Sequence, residues 1–410
     1  MARAHRGPSQ EIIFTPEMTI PKLFLQTVKK YGHKKVAMRE KEFGIWRPIT
    51  WQDYYENVKA LALGMVSLGL KRDDKVALIG DNRPEGLWAE MAALCVGAQA
   101  IWIYQDCLID EVQYIVDHSD AKILVCEGQE EVDKALTIKD RCPKLQKAIW
   151  DDPKGMRNYD DPILIPLKEV QALGRELEAR DPGLFDHLVE QGRGDDVTLL
   201  FYTSGTTSAP KGALLTHSNM LHMGKNLNRV DPNYEDDDFV SFLPFAWIGE
   251  QMMSISLELQ AGFTINFPEE PETILENIRE IGPQVMFSSA RFYEQMVRTL
   301  QVKYADASFL KKRMYEWALD VGGRLADLKF AKKQAPLWLR AAGWLADITV
   351  HRALRDHLGL SRIRNAYTGG RLWAPITSAI FTPSASTSSK STGRRRSPAS
   401  LSSIVPMTSS

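Results

Sequence analysis

The sequence predicts an α/β protein with a parallel, doubly wound sheet. Two observations carry this. Short apolar runs alternate with segments of helical period at the spacing of βαβ units. One such run, residues 198–201, enters a loop of small hydroxyl residues, a Gly, a Pro and a Lys, a composition suited to holding an anion.

Taken in order, residues 17–70 read as helix, strand, helix. Thr50-Trp51 opens a segment whose apolar residues recur at helical spacing through Leu61, Leu63 and Met65. Residues 76–79 form a short buried strand. Asp81-Asn82-Arg83-Pro84 makes a turn with an N-cap and a Pro near the first helical position. Helix 87–96, strand 100–104, helix 111–118 and strand 122–126 follow. A polar stretch over 151–195 interrupts the alternation. Residues 239–243 and 263–267 then read as strands. Residues 272–281 form a helix stopped by Gly282-Pro283, 285–288 a strand and 291–299 a helix. Residues 306–360 read as mostly helical. Within them 336–345 is apolar, with Arg and Asp at its flanks. That segment suits a helix packed on the core or one lying on a membrane surface.

Bulk properties narrow the classes. A chain of 410 residues holds about two or three domains. With 44% hydrophobic and 25% charged residues it is ordinary for a globular protein. A formal net charge of −1 gives nucleic acid no electrostatic footprint. Cys95, Cys107, Cys126 and Cys142 lack metal-type spacing and suit free thiols in a reducing cytosol. The basic N-terminus is not followed by an apolar stretch, so no secretory signal is expected. No run of about 18 apolar residues exists, so no spanning helix is expected.

The loop is Tyr202-Thr203-Ser204-Gly205-Thr206-Thr207-Ser208-Ala209-Pro210-Lys211-Gly212. Gly205 lets the backbone approach phosphate closely. Thr203, Ser204, Thr206 and Thr207 add hydroxyl donors, and Lys211 adds a mobile positive charge. Most Ser/Thr clusters are plain surface turns; the ordered Gly, Pro and Lys favour an anion site here. It is not a Walker A loop, because five residues separate Gly205 from Lys211 and Gly212 follows the Lys.

The order of residues resembles the phosphate loop of the AMP-forming acyl-CoA synthetases, the adenylate-forming superfamily. Ser208 stands where that family usually has Gly. The resemblance covers roughly residues 20–370. Leu215-Thr216-His217-Ser218-Asn219 is similar to the strand-to-helix exit, with Thr216 or Ser218 as the helix cap and His217 structural. Phe242-Leu243-Pro244-Phe245-Ala246-Trp247-Ile248-Gly249-Glu250-Gln251 resembles the acyl-site motif, with Trp247 where many relatives have His. An indole there makes an apolar wall; a plain core Trp is an equal alternative. The preceding Asp236-Asp237-Asp238 is expected to be a solvated turn rather than a metal site. Residues 268–294 and the helical insertion with Tyr315-Glu316-Trp317-Ala318-Leu319 resemble the long-chain fatty acid–CoA ligase branch. Asn365-Ala366-Tyr367-Thr368-Gly369-Gly370 resembles the Gly-rich segment beside the adenine.

The resemblance implies the N-terminal domain of these enzymes, stacked doubly wound sheets with helices, over residues 1–370. It implies ATP, Mg²⁺ and coenzyme A as substrates and cofactor, and ATP-dependent activation of a long-chain fatty acid to acyl-AMP and then acyl-CoA. Thr203, Ser204, Gly205, Thr206, Thr207 and Lys211 would hold the phosphates and Gly369 and Gly370 the adenine, while Phe245, Trp247 and Glu250 would face the acyl chain. The implied location is cytoplasmic, with peripheral contact at the inner membrane face. Two alternatives stay open: a non-catalytic nucleotide- or acyl-binding remnant, and an adenylating ligase for another carboxylic acid. The insertion over 301–360 disfavours the second.

After Gly370 the character changes. Residues 371–410 contain no Asp or Glu and are dominated by Ser, Thr, Pro and Arg, the composition of a disordered tail. The family's Ala-Leu-Gly-Pro-Asp type segment, its Tyr-Gly-Gln-Thr-Glu segment with the Mg²⁺-binding Glu, its ribose-binding Asp and its C-terminal domain with a catalytic Lys have no counterpart. The genetic code permits a reason. Read one frame over, allowed codons from Arg371 onward can give Ala-Leu-Gly-Pro-Asp-His-Phe-Arg-Tyr-Phe. Those of Ser391-Thr392-Gly393-Arg394-Arg395-Arg396 can give Tyr-Gly-Gln-Thr-Glu. The expectation is a frameshift after Gly370, no retained metal or catalytic residues, and little synthetase activity in this chain.

Overall fold

The computed structural model describes residues 14–203, 210–331, 333–369 and 403–404. The chain divides into two compact units, Met1–Asp236 with Ser241–Glu269 and Asp237–Val240 with Glu270–Ser410.

The first unit opens on the helix Ile20–Tyr31, capped by the Thr19 hydroxyl, which accepts from the Lys22 N–H. A hairpin follows, β1 (Val36–Glu42) and β2 (Ile45–Thr50), where the sequence predicts one strand. Its two-residue turn is Phe43-Gly44, with φ of 49° and 76°, the backbone of a hairpin turn. Phe in that position carries no turn signal, which is why the second strand is hidden. Helix Trp51–Ser67 then starts at a capping box: Thr50 Oγ1 accepts from the Asp53 N–H, and Asp53 accepts from the Thr50 N–H.

The main sheet of this unit comprises β3 (Lys75–Ile79), β4 (Gln99–Ile103), β5 (Ala121–Cys126), β6 (Lys147–Trp150), β7 (Leu164–Pro166), β8 (Val197–Thr203) and β9 (Lys211–Thr216), in the order β7-β6-β5-β3-β4-β8-β9. Its strands pair in parallel except for β9, which lies antiparallel to β8 at the edge. The order reverses about β3, so this is the doubly wound sheet the alternation predicts. β3, β4 and β5 are apolar runs buried along nearly their whole length, as parallel strands covered on both faces must be. Helix Pro84–Val96 begins with Pro84 at its first position. Arg83 is its N-cap and gives no side-chain cap bond; Asp81 and Asn82 are engaged elsewhere.

The polar stretch 151–195 contains two helices, Leu167–Arg180 and Leu184–Glu190. The longer one buries only Leu167, Val170, Gln171 and Gly174, a stripe too thin to stand out in the sequence. It packs on Trp51–Ser67 at backbone distance. A Cβ added at Gly174 would lie 1.8 Å from the Ala60 carbonyl oxygen, and one at Gly64 2.0 Å from that of Val170.

The chain enters the second unit for β10 (Asp238–Val240) and returns to the first as β11 (Thr264–Phe267), parallel to β1. The second unit continues with β12 (Val285–Ser289) and β13 (Asn365–Gly369), parallel neighbours in the order β10, β12, β13. Helix Ile274–Ile281 stops at Gly282, whose φ is 59°. Helices Ala290–Ala305, Phe309–Phe330, Leu337–Ala346 and Arg352–His357 complete it, the last two joined by a π-helical turn, Asp347–His351. The acidic run at 236–238 is not the solvated turn the sequence suggests. Asp237 is buried and takes a two-pronged ion pair from Arg364 at 2.8 and 2.5 Å, and Arg362 reaches Asp238 at 3.5 Å. The partners lie over 120 positions along the chain, so the sequence gives the run no visible counter-charge. The expected tail, 371–410, falls outside the described residues except for Ser403 and Ile404.

Candidate functional site

β8 and β9 form an antiparallel stem on either side of the candidate phosphate loop in the chain. Thr203 and Lys211 stand opposite each other in the ladder, and Lys211 is exposed. Ser204, Gly205, Thr206 and Thr207 lie outside the described residues, as does Gly370. The stem is braced by an aromatic cluster that sequence reasoning missed. The Tyr114 hydroxyl donates to the Pro210 carbonyl at 3.1 Å, and His118 Nδ1 shares a 2.8 Å hydrogen bond with the Tyr202 hydroxyl. Tyr114 and His118 stack at 5.2 Å, one turn apart on the helix Ile109–His118. Their i,i+4 spacing was the available signal. After β9, Thr216 caps the next helix, with Asn219 completing a capping box. His217 is buried and accepts from the Ile20 N–H at 3.4 Å. Burial lowers its imidazole to about 4, which keeps it neutral and fits a structural role.

The acyl-motif residues sit in the same unit. Phe245 is fully buried against Trp102, ring centroids 4.8 Å apart. Trp102 lies in β4, the parallel neighbour of β8, so this aromatic pair and the loop end of the β8–β9 stem both belong to the carboxyl-end side of the sheet. Ligands of open α/β sheets bind at that side. Trp247 is half-buried, and its carbonyl accepts from the amides of Glu250 and Gln251 at the start of the helix Ile248–Gln251.

Glu250 has no exposed surface. Its Oε1 accepts from Ser241 at 2.6 Å and Ser254 at 2.8 Å, and Asn82, in the turn after β3, donates to the Ser241 hydroxyl at 2.8 Å. Burial raises its carboxyl to about 8, against the pull of the two hydroxyls and the Leu243 amide. Glu250 is therefore largely protonated near neutral pH. The adjacent Gln251 donates to Glu90 at 3.0 Å, and the Trp102 indole N–H donates to the same oxygen at 2.7 Å. Burial raises Glu90 to about 7. These two buried carboxyls pin the start of the acyl-motif helix to β3 and β4, and the chain runs on into a π-helical turn, Met252–Leu257. A local widening of this kind is frequent at functional sites. Glu90 was the other residue that could have been noticed, as a lone acid inside the apolar run 87–96.

Gly369 ends β13 in the second unit, opposite Ser289 of β12. Among the described residues no three His, Cys, Asp or Glu side chains gather as a metal-ligand set. Cys95, Cys126 and Cys142 are buried and Cys107 is partly so, all four as free thiols.

Comparisons agree with this architecture. The chain is similar to the long-chain-fatty-acid–CoA ligase ACSBG2 of Xenopus laevis, 30% identical over 381 residues, covering 91% of this chain and 50% of the relative. The human ACSBG2 ligase is 26% identical, with 88% and 53% covered. The chain thus spans about half the length of the curated relatives it matches. Among solved structures, the fold is similar to a long-chain-fatty-acid–CoA ligase from Archaeoglobus fulgidus, with a TM-score of 0.61 at 18% identity, covering 92% of this chain and 61% of that one. It is also similar to the adenylation domain of a carboxylate reductase from Mycobacterium chelonae, with a TM-score of 0.63 at 16% identity, covering 90% and 57%. The family model for AMP-binding enzymes matches residues 24–371, and with that match over most of its length the chain belongs to the AMP-binding enzyme family.

Proposed function

We propose that the protein of which this chain is a part activates a long-chain fatty acid. The carboxylate attacks the α-phosphate of ATP to give acyl-AMP and pyrophosphate, and the thiolate of coenzyme A then displaces AMP to give the thioester. The observation that carries the reading is the β8–β9 ladder, which ends with Thr203 opposite Lys211 on the same side of the sheet as the Phe245–Trp102 pair. Similarity to long-chain ligases supports the choice of acid. In this reading Thr203, Ser204, Gly205, Thr206, Thr207 and Lys211 hold the β- and γ-phosphates. Lys211 offsets the charge that builds on the triphosphate as the α-phosphate is attacked. Gly369 and Gly370 flank the adenine. Trp247, half-buried, lines the acyl site, and the buried Phe245 and protonated Glu250 support that wall from behind. Mg²⁺ would enter with ATP and supply further charge neutralisation on the triphosphate.

The domain reading is that residues 1–370 are an incomplete AMP-binding domain and 371–410 a frameshifted tail, in a cytoplasmic protein that touches the membrane peripherally. No described helix is long and apolar enough to cross a membrane. The 410-residue chain is expected to bind ATP and to release little pyrophosphate with palmitate. Titration calorimetry with ATP should show Lys211→Ala binding about tenfold more weakly or worse, the worth of one charge-assisted hydrogen bond. Unchanged ATP affinity in that variant would remove the phosphate assignment. With the reading frame after Gly370 restored, pyrophosphate release driven by aryl acids rather than palmitate would replace the substrate.

A further inference from the structure

The helix Leu337–Ala346 and the π-helical turn after it present two unlike faces. Leu339, Gly343 and Ala346 turn inward, and Leu339 and Ala346 pack with Ala318 and Val321 of the helix Phe309–Phe330. The opposite face is apolar and open: Leu337 is 81% exposed, Trp338 62%, Trp344 54%, Leu345 48% and Ile348 49%. A core-packed amphipathic helix puts charge on that face. This one puts five large apolar side chains there, two of them indoles.

Its exposed charges are of one sign. Between residues 333 and 352 the sequence has a single acid, Asp347. That carboxylate is taken by Arg355 at 2.6 Å. Arg340 and Arg352 are exposed beside the open face, with no carboxylate partner among the described residues. Indoles favour the boundary between water and hydrocarbon, and arginines beside them are attracted to anionic headgroups.

We propose that this face docks on an anionic lipid bilayer, laying the helix in the interface plane with Trp338, Trp344, Leu345 and Ile348 inserted and Arg340 and Arg352 at the phosphates. The proposal deepens the peripheral-contact reading and does not depend on the adenylation chemistry. An inactive chain with intact vesicle binding leaves it standing.

The test is flotation of the full 410-residue chain with vesicles of phosphatidylglycerol and of phosphatidylcholine. The chain should float with the first far more than with the second. A Trp338→Ser, Leu345→Ser double variant should bind at least about tenfold more weakly, the worth of one large apolar side chain left in water. Arg340→Gln and Arg352→Gln should each weaken binding to the anionic vesicles about fivefold and leave binding to the neutral ones unchanged. These positions are exposed, so thermal melting should show each variant folded. Absence of binding to phosphatidylglycerol vesicles overturns the proposal, as does full binding by the Trp/Leu variant. A variant that changes self-association in light scattering while keeping vesicle binding would make this face a protein interface instead, and also overturns it.

Discussion

Burial drives Glu250 up to about 8 and Glu90 to about 7, where an exposed Glu would titrate near 4.5. Glu258, on the same buried segment, is pushed up too, with both carboxyl oxygens lacking a hydrogen-bond partner among the described residues. The unfolded chain therefore loses these protons at lower pH than the folded one. Between about pH 5 and 8 the folded state holds more protons, so stability is full at the acid end and falls as pH rises. The effect of Glu250 alone is on the order of a few kcal/mol. Glu250→Gln keeps the neutral polar group that the site holds at low pH and cannot ionise. Its melting temperature should match the parent near pH 5 and exceed it near pH 9, in melts monitored by circular dichroism. Parallel curves for the two proteins would show that Glu250 is not the titrating group. His217 works in the opposite direction, since burial lowers its imidazole to about 4, and its share of stability is lost as pH falls below its ordinary range.

The pairing of Trp51–Ser67 with Leu167–Arg180 depends on two positions without side chains. Alanine at Gly174 would gain about 1 kcal/mol of helix propensity. It would also place a methyl 1.8 Å from the Ala60 carbonyl oxygen and 2.8 Å from the Gly64 nitrogen. Those neighbours are backbone in an adjoining helix, so the helices must separate, and overpacking of this kind costs about 1–3 kcal/mol or more. Gly174→Ala should lower the denaturation midpoint, whereas Gly183→Ala, with nothing within 4 Å of the added carbon, should leave it near the parent value. Equal midpoints for the two variants would mean that the close approach carries no energetic weight. Neither helix contact was visible in the sequence, because a close approach shows there only as a Gly among polar residues. The elements that were legible are those whose signal is local. β3, β4 and β5 stand out as apolar runs, and Trp51–Ser67 as a capped amphipathic segment. The β1–β2 turn was missed because Phe43 adopts a positive φ without being a turn residue. The candidate phosphate loop was legible for the same local reason, as a contiguous string. The network behind the acyl motif was not, since Gln251 and Glu90 meet across 161 positions.

At the scale of the whole chain, two boundaries fall together. The match to the AMP-binding family ends at residue 371, and the composition breaks after Gly370, beyond which no acidic residue occurs. A domain that evolved a polar tail would keep no memory of the family's next segment. A shifted frame keeps it in the nucleotides, and the amino acids restrict which frame can work. Trp373 has one codon, so Trp373-Ala374 must yield Gly in the frame that takes the third base of each codon with the first two of the next. That Gly falls where Ala-Leu-Gly-Pro-Asp requires it. The permitted Tyr-Gly-Gln-Thr-Glu over Ser391–Arg396 then follows in the same frame, without a second shift. The proposal is that a single frame change after the Gly370 codon separates this chain from a full-length relative. The gene's nucleotide sequence, read in that frame from the Arg371 codon, should encode both segments and continue without a stop through a further domain. A frame that encodes neither segment, or that closes within these codons, would make 371–410 a genuine tail. Restoring the frame should recover pyrophosphate release by about 10²–10³ or more, since each missing charged stabiliser is worth a factor of that order, and it should do so only while Lys211 is present.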